Sequence, residues 1–406
     1  MSASVKPKLN VSSLVACMVN MFCVGLVYLW SVFRTPVVEH YGWDPDAVTL
    51  ISSAMIVMYV FGTLIGGFIQ DRTSPRFVSW IGAFIYFAGL FTTSLLSAST
   101  PWLIYITYGV LAGIGVGFVY SAALSTVQKL MPHRRGFATG ISVGSFGLSV
   151  VVFSPVIERL LENVGVPMTF RFMAIALVIV LLISSYFIKN PTKEYLDSLK
   201  LPARQSNRRQ YRPSEVLRRP EFWCMALSLF FLPATYMIVI PLVKDLAIAR
   251  GIPSAQASFT VQLVGISSVV SRIIGSTLSD KLGRARTILA MAILTCIAAI
   301  MMTFAKGILY SVVIVLIVFG YSAPAGIFPA MSTDAFGTKY SGTNYGFAFM
   351  FLGFSSPVFS WLATVLNKDG MATGNFTRSF LVAAAVCIIP IVLLPLFDFF
   401  VKRRAD

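Results

Sequence analysis

An arginine stands alone in a long apolar stretch of this 406-residue chain. Arg272 lies in the run SSVVSRIIGS (267–276), and the nearest charged residues along the chain are Arg250 and Asp280. A guanidinium keeps its proton in proteins, so burial cannot make it neutral. Its planar fork of N–H donors matches the two oxygens of a carboxylate. Arg272 is therefore the first candidate for a residue that binds an anion.

Small and polar residues accompany Arg272 at intervals of three or four, which places them on one side of a helix. These residues are Ser258, Gln262, Gly265, Ser268, Arg272 and Ser276. A polar stripe on an otherwise apolar helix suits a water-filled path, although small residues also favour close helix contacts. The spacing predicts that Gln262 and Arg272 belong to one substrate-binding face.

The composition indicates that the helix carrying Arg272 crosses a membrane. Hydrophobic residues make up 57% of the chain and charged residues 12%, whereas soluble domains have about 25% charged residues. The apolar runs lack the alternation of transmembrane β-strands. Windows of about 19 residues predict twelve helical spans, near 12–33, 47–69, 77–97, 102–126, 136–157, 167–188, 222–243, 256–278, 287–305, 308–331, 342–366 and 378–401.

A basic segment, 189–221, separates the first six spans from the last six. We therefore predict an N-terminal six-helix half (1–188), a cytoplasmic basic linker (189–221) and a C-terminal six-helix half (222–406). With both termini cytoplasmic, 23 of the 32 basic residues fall on the cytoplasmic side, as the positive-inside rule requires. The net charge of +16 then reflects orientation in a plasma (inner) membrane and attraction to its lipids, and nucleic acid is not expected as a partner.

The acidic residues do not supply an obvious counter-ion for Arg272. All sixteen Asp and Glu residues lie in predicted loops, tails or span ends, while an arginine at mid-helix costs about 2.5–3.5 kcal/mol to insert. Snorkelling toward the interface near Asp280, about 12 Å along the helix, is the alternative. We expect Arg272 to bind an anion that comes from solution.

The two halves repeat each other. GGFIQDRTSPR (66–76) after span 2 resembles GSTLSDKLGRAR (275–286) after span 8, which sets Asp71 and Asp280 209 positions apart. Tyr28 and Tyr236 are 208 positions apart. A near-constant offset of half the chain indicates two parallel six-helix repeats.

These two loops resemble the cytoplasmic loop motif of the major facilitator superfamily, roughly G-x-x-x-D-[RK]-x-G-[RK]-[RK]. The resemblance implies an all-α membrane protein in which twelve transmembrane helices form two pseudo-symmetric six-helix halves. It also implies that the loops act as a conformational latch at the cytoplasmic helix ends. The latch residues would be Asp71, Arg72, Asp280 and Arg284.

Within that superfamily the chain is similar to the oxalate/formate antiporter family and its monocarboxylate-carrying relatives. The matching stretches are VYLWSVF (27–33), AGIGVGFVY (112–120), HRRGFATG (133–140), RRPEFWCM (218–225), SDKLGR (279–284), FPAMSTDAFG (328–337) and NYGF (344–347). Arg272 falls where the family carries its anion-binding arginine. The resemblance implies a substrate cavity lined also by Tyr28, Tyr120, Phe146 and Tyr321.

One departure from that family bears on the substrate. Members that carry oxalate have a lysine in span 11, six residues after the Gly of NYG, and this chain has Leu352 there. The missing cation favours an anion of single charge. We therefore predict a substrate-binding set of Arg272, Tyr28, Tyr120, Tyr321, Phe146, Leu352 and Gln262.

The sequence thus predicts a secondary active transporter of a small monocarboxylate, such as lactate, pyruvate or formate, that works by alternating access and proton symport. The alternatives are an oxalate/formate-type anion exchanger and, in another class, a membrane nutrient sensor or scaffold. No enzyme activity, cofactor or metal is expected, and we predict a monomer whose partners are a small carboxylate, protons and membrane lipid. An exporter of cationic drugs would need an acid inside the membrane, and none is predicted.

Overall fold

The computed structural model describes residues 9–199, 209–240, 243, 246–247, 252–373 and 375–403. Regular structure within these ranges is helical, which confirms the predicted class. The first elements in chain order are α1 (Val11–Val24), a 3₁₀ segment (Gly25–Leu29), α2 (Trp30–Tyr41), α3 (Pro45–Gln70), α4 (Pro75–Thr93), a π-helical segment (Tyr105–Ala112), α5 (Gly113–Leu130), α6 (Arg135–Tyr186), α7 (Lys193–Ser198) and α8 (Pro213–Val216). The remaining elements are α9 (Pro220–Phe231), α10 (Ala234–Val239), α11 (Ser254–Leu282), α12 (Arg284–Met301), α13 (Gly307–Phe336), α14 (Ser341–Thr373) and α15 (Thr377–Arg403).

Ten helical segments of the described chain are long and apolar enough to cross a membrane. One of them, α6, has 52 residues, and its helical geometry breaks at Gly165 with φ 74°. An unbroken helix of that length would measure about 78 Å, against about 30 Å for the hydrocarbon core of a bilayer. The break therefore divides α6 into the two predicted spans 136–157 and 167–188. The helix α11 is not among the ten, because some of its side chains lie outside the described residues.

Contacts divide the chain into two compact units, and each is described by itself. The first unit comprises Met1–Pro213 together with Ser332–Gly346. Its helices approach closely at glycines: a Cβ on Gly117 of α5 would lie 2.3 Å from the carbonyl oxygen of Tyr59 in α3. A Cβ on Gly25 would lie 2.1 Å from the carbonyl oxygen of Phe146 in α6. Small residues thus allow these helix backbones to touch, as in other membrane proteins.

The second unit comprises Ser214–Met331 together with Phe347–Asp406. A core cluster that includes Val239, Ala299, Ile314 and Phe380 joins α10, α12, α13 and α15. The polar helix α11 runs along α13, and hydroxyl pairs mark the contact: Thr260 with Ser311 at 2.8 Å and Ser268 with Ser322 at 3.0 Å. Hydroxyls therefore serve as interhelical partners here.

The predicted domain limits stay a prediction. The predicted linker 189–221 contains α7 and α8, but its residues 200–208 lie outside the described part of the chain. The same holds for several residues at the end of the predicted span 222–243 and for both chain termini. Within the first unit, the segment Ser332–Gly346 packs with helices of the N-terminal half, although it follows span 10 in the sequence.

The close approach at Gly117 gives a stability prediction. Gly117→Ala places a methyl group against backbone atoms of Tyr59, Gly62 and Thr63, and such overpacking costs about 1–3 kcal/mol. Gly265→Ala is the matched control, because a Cβ on Gly265 would meet nothing within 4 Å. That change should leave stability equal or raised by up to about 1 kcal/mol through helix propensity. Thermal unfolding of the purified protein in detergent measures both, and equal midpoints for the two variants would contradict the packing described.

Candidate functional site

Arg272 lies in the second half of α11 and is buried, with 7% of its surface exposed. Its neighbours one turn away on either side contact α13. Ser268 hydrogen bonds Ser322, and a Cβ on Gly275 would lie 2.5 Å from the Cβ of Ala323. Residues spaced by three or four share a face, so Arg272 lies on the side of α11 that packs along α13. The observed burial argues against a side chain extended into the aqueous interface.

Tyr321 and Leu352 line one small cavity of about 20 Å³ in the second unit. The cavity is otherwise apolar, with walls that include Pro233, Pro324 and Phe328. Tyr321 stacks on Tyr236, with ring centroids 4.2 Å apart and planes inclined by 21°. The structure thus brings Tyr321 and Leu352 together in the second unit. It also places Tyr236 beside Tyr321, whereas the sequence showed Tyr236 only as the repeat partner of Tyr28.

Gln262 does not lie beside Arg272. Both residues are in α11, but ten positions separate them, or about 15 Å along the helix axis. Gln262 is exposed, whereas Arg272 is buried. Gln262 and Arg272 therefore share one helix, but at this distance the two side chains cannot contact one small ligand group together.

In the first unit, three predicted site residues meet in an aromatic cluster made of Tyr28, Tyr59, Tyr120, Phe146 and Tyr345. Phe146 lies at the centre: its ring centroid is 5.5 Å from that of Tyr28, 6.0 Å from Tyr59 and 5.5 Å from Tyr120. The Tyr120 side chain hydrogen bonds both Tyr59 and Tyr345. These edge-to-face and offset contacts are the geometries that aromatic rings prefer.

The 3₁₀ segment Gly25–Leu29 positions Tyr28 in this cluster. It interrupts the helix of the first span, and short 3₁₀ stretches inside helices often mark hinges. Gly25 allows the segment to touch the backbone of α6 at Phe146, which sets Tyr28 beside that ring. Tyr28 remains 43% exposed, while the other four members of the aromatic cluster are buried. Tyr28 is therefore the exposed member of the cluster.

Sequence analysis missed two members of the aromatic cluster. Tyr59 lies in the middle of α3, and Tyr345 lies in the matching stretch NYGF. Both have less than 5% of their surface exposed. A tyrosine in the middle of a span needs a partner for its hydroxyl, since the lipid supplies none. That requirement was a usable signal, and Tyr120 meets it for both residues.

Asp71, a predicted latch residue, holds the N-terminus of α14 within the first unit. Its carboxylate accepts hydrogen bonds from the backbone N–H and the hydroxyl of Thr343, at 2.9 and 2.7 Å. A negative charge at this end of a helix is favoured by the helix dipole. Burial nevertheless raises the pKa of the Asp71 carboxyl above its ordinary value, and the two hydrogen bonds and Lys129 oppose that shift.

The other three predicted latch residues make contacts close to themselves in sequence. The guanidinium of Arg72 lies 3.8 Å from the centroid of the Phe68 ring. Arg284 forms an ion pair of 2.6 Å with Asp280 and donates a hydrogen bond of 2.6 Å to Ser279. The two Arg284 contacts fix the junction between α11 and α12, where Gly283 has a φ of 96°.

A second contact of the segment Ser332–Gly346 was not assigned from sequence. Arg135, at the start of α6, pairs with Asp334 at 2.6 Å, and their side chains are 8% and 27% exposed. The Thr333 hydroxyl donates to Gln128 of α5. Both Arg135 and Asp334 lie in stretches that match the resembling family, HRRGFATG and FPAMSTDAFG, but a match alone does not reveal a pair 199 residues apart.

The comparisons with known proteins agree with this architecture. A profile of the Major Facilitator Superfamily matches residues 13–360. The oxalate:formate antiporter of Oxalobacter formigenes is 26% identical over 348 residues, which cover 82% of this chain and 78% of that protein. Monocarboxylate transporter 12 of Xenopus laevis is 22% identical over 409 residues, with coverage of 90% and 83%.

Solved structures show the same fold. The fucose:proton symporter FucP of E. coli superimposes with a TM-score of 0.73 at 14% identity, covering 96% of this chain and 99% of that one. The proton:xylose symporter XylE gives 0.71 at 15% identity, with coverage of 96% and 95%. The predicted twelve-helix fold is confirmed by these likenesses, and the family is one of transporters rather than enzymes. The chain is an integral membrane transporter that belongs to the major facilitator superfamily.

Proposed function

We propose that the protein is a secondary active transporter of a small monocarboxylate anion of the lactate, pyruvate or formate type. The burial of Arg272 in α11, the helix of a predicted span, is the observation that carries this proposal. A permanent cation in that position has a high desolvation cost, and a bound carboxylate offsets much of it. Alternating access then follows from the need to expose the same cation to each side in turn.

The proposed chemistry is hydrogen bonding and charge pairing. The guanidinium of Arg272 donates hydrogen bonds to both carboxylate oxygens of the substrate. Hydroxyls of Tyr28, Tyr120 and Tyr321 donate to the substrate, and the side chains of Phe146 and Leu352 contact its apolar part. Gln262 lines the approach along α11, because its distance from Arg272 precludes a shared contact with a small anion.

The names of the similar proteins support an anionic substrate. The similar proteins include an oxalate:formate antiporter and a monocarboxylate transporter. Leu352 favours the singly charged anion over oxalate, since its side chain supplies no second cation in the cavity that it shares with Tyr321. Exchange of formate-like anions is the second candidate, supported by the antiporter among these proteins.

We propose proton symport in a plasma membrane, with both termini cytoplasmic and a monomeric protein. The orientation rests on the distribution of basic residues. A monocarboxylate carries its own titratable group, so the proton can cross with the substrate.

We also propose that the latch residues act during the transport cycle. Asp71 and Arg135 hold the segment Ser332–Gly346 by charged hydrogen bonds, and this segment joins α13 to α14. Release of these bonds would accompany one step of the transport cycle, and their formation another. Asp280 and Arg284 would set the angle between α11 and α12.

The central prediction concerns transport by Arg272 variants in liposomes of purified protein. A panel of labelled carboxylates, with and without an imposed pH gradient, should show uptake of a monocarboxylate that a proton gradient drives. Arg272→Ala should lower the affinity at least thirtyfold, because the loss of a buried charge partner costs about 2–5 kcal/mol. Arg272→Lys should retain part of the activity, since it keeps the charge and loses the fork.

Arg159→Ala is the matched control, because Arg159 is an exposed arginine in α6. It should leave uptake unchanged. Undiminished uptake by Arg272→Ala would refute the binding role. Uptake that requires carboxylate inside the liposomes and does not respond to the pH gradient would show that the protein exchanges anions and is not a proton symporter.

Leu352 gives a selectivity prediction. Leu352→Lys adds a second cation beside Tyr321 and should raise the preference for oxalate over formate by about tenfold or more. Leu352→Met, of similar volume and without charge, should keep the original preference. Competition of each unlabelled anion against labelled substrate measures the ratio, and an unchanged ratio in Leu352→Lys would dismiss this role.

Asp71 gives a pH prediction. Because burial raises its pKa above the ordinary 3.8, the folded protein binds a proton at Asp71 at higher pH than the unfolded chain does. The contribution of this difference in pKa to the free energy of unfolding is fully present below pH 3.8. It is lost as the pH rises through the raised pKa of Asp71. Asp71→Asn cannot ionise but keeps an acceptor for Thr343. As the pH rises from about 4 to 7, the thermal midpoint of Asp71→Asn should therefore rise relative to that of the natural chain.

The matched variant Thr343→Ala removes the hydroxyl donor and should lower the midpoint of the natural chain more than that of Asp71→Ala. The difference in thermal midpoint between the natural chain and Asp71→Asn should therefore change with pH. A difference that stays constant, or that changes in favour of the natural chain as the pH rises, would contradict the buried position of this carboxyl.

A further inference from the structure

A groove opens on the surface of the second unit between α12 and α15. It has a volume of about 380 Å³ and is lined by Ala285, Arg286, Leu289, Leu394, Pro395, Asp398, Phe399 and Lys402. Arg286 lies in the first turn of α12, and Lys402 lies in the last turn of α15. The groove is therefore at one end of these two packed helices, the end that carries the loop between α11 and α12 and the C-terminus.

The end of the groove is charged. Arg286 and Lys402 are exposed, and both lie close enough to Asp398 to attract its carboxylate electrostatically. Two cations and one carboxylate leave a formal charge of +1. A ligand with a single negative charge balances the groove, and hydroxyl donors on that ligand would suit the Asp398 oxygens.

The rest of the groove is apolar and leads onto an exposed apolar surface. Leu289, Leu394 and Phe399 form its walls. Beyond them, exposed apolar side chains continue at helical spacing: Ile293, Ile297 and Ile300 on α12, and Ile388, Val392 and Leu396 on α15. Such a surface is suited to acyl chains, because nothing in it can replace the hydrogen bonds of a water-soluble ligand.

We propose that this groove binds an anionic phospholipid, with its phosphodiester between Arg286 and Lys402. The glycerol hydroxyls of the headgroup donate to Asp398, and the acyl chains follow the exposed apolar stripes of α12 and α15. Basic pockets between helix ends on the cytoplasmic side are a known setting for lipid headgroups. The groove is separate from the proposed substrate site, so the lipid proposal does not depend on the proposed transport function.

The alternative occupant is a zwitterionic lipid, and Asp398 distinguishes the two. An ethanolamine headgroup would place its ammonium on the Asp398 carboxylate, so Asp398→Asn would weaken its binding. A phosphatidylglycerol headgroup loses only a negative neighbour in that variant, and the amide oxygen still accepts a hydroxyl hydrogen bond. Charge balance favours the anionic lipid, because an ethanolamine lipid would leave the groove at +1.

The test is lipid titration of the purified, delipidated full chain by native mass spectrometry. Phosphatidylglycerol and phosphatidylethanolamine with identical acyl chains serve as probes. The natural chain should bind the first phosphatidylglycerol more tightly than the first phosphatidylethanolamine. Arg286→Gln and Lys402→Gln should each weaken phosphatidylglycerol binding about fivefold, and the double variant about twenty-five-fold.

Asp398→Asn should keep or tighten phosphatidylglycerol binding. Lys189→Gln, at an exposed lysine that follows α6, is the matched control and should change it less than twofold. Equal binding of the two probes by the natural chain would overturn the proposal. So would unweakened binding by the double variant, or a loss of phosphatidylglycerol binding in Asp398→Asn. Lys402 lies at an exposed helix end, so its single variant keeps the test valid if the double variant does not fold.

Discussion

The burial of one permanent positive charge constrains the rest of this protein. Arg272 cannot discard its proton, and in α11 it lies among helices that are otherwise apolar. One turn before Arg272, Ser268 bonds to Ser322 of α13. We propose a small anion that enters and leaves as the partner of Arg272, in keeping with the membership of a transporter superfamily.

Much of the fold follows directly from the sequence, because hydrophobic spans and basic loops are local signals. The break at Gly165 explains why two predicted spans lie in the single helix α6. The ten apolar segments do not include α11, because some of its side chains lie outside the described residues. Three residues of the predicted site, Tyr28, Tyr120 and Phe146, meet in one cluster. Their neighbours Tyr59 and Tyr345 required knowledge of which helices touch.

Long-range contacts were beyond the sequence for a physical reason. Asp71 and Thr343 are 272 positions apart, and Arg135 and Asp334 are 199 apart. No periodicity in one chain indicates such pairs, since each residue alone resembles an ordinary loop charge. The loop motif predicted that Asp71 would act at a helix end, but its acceptor role at the N-terminus of α14 became visible only through packing. The role of Gln262 stays a prediction, and its distance from Arg272 shows that a shared helix face does not imply a shared height along the helix axis.

Chemical rescue of the charge at position 272 tests the account most directly. Arg272→Cys in proteoliposomes would be treated with a methanethiosulfonate reagent that adds an ammonium group, or with one that adds a sulfonate. Arg272→Ala receives the same treatments, so that modification of the five natural cysteines is accounted for. The account predicts that only the ammonium adduct restores part of the monocarboxylate uptake that Arg272→Cys loses. Equal uptake with both adducts, or full uptake without either, would contradict a substrate-binding cation at this position.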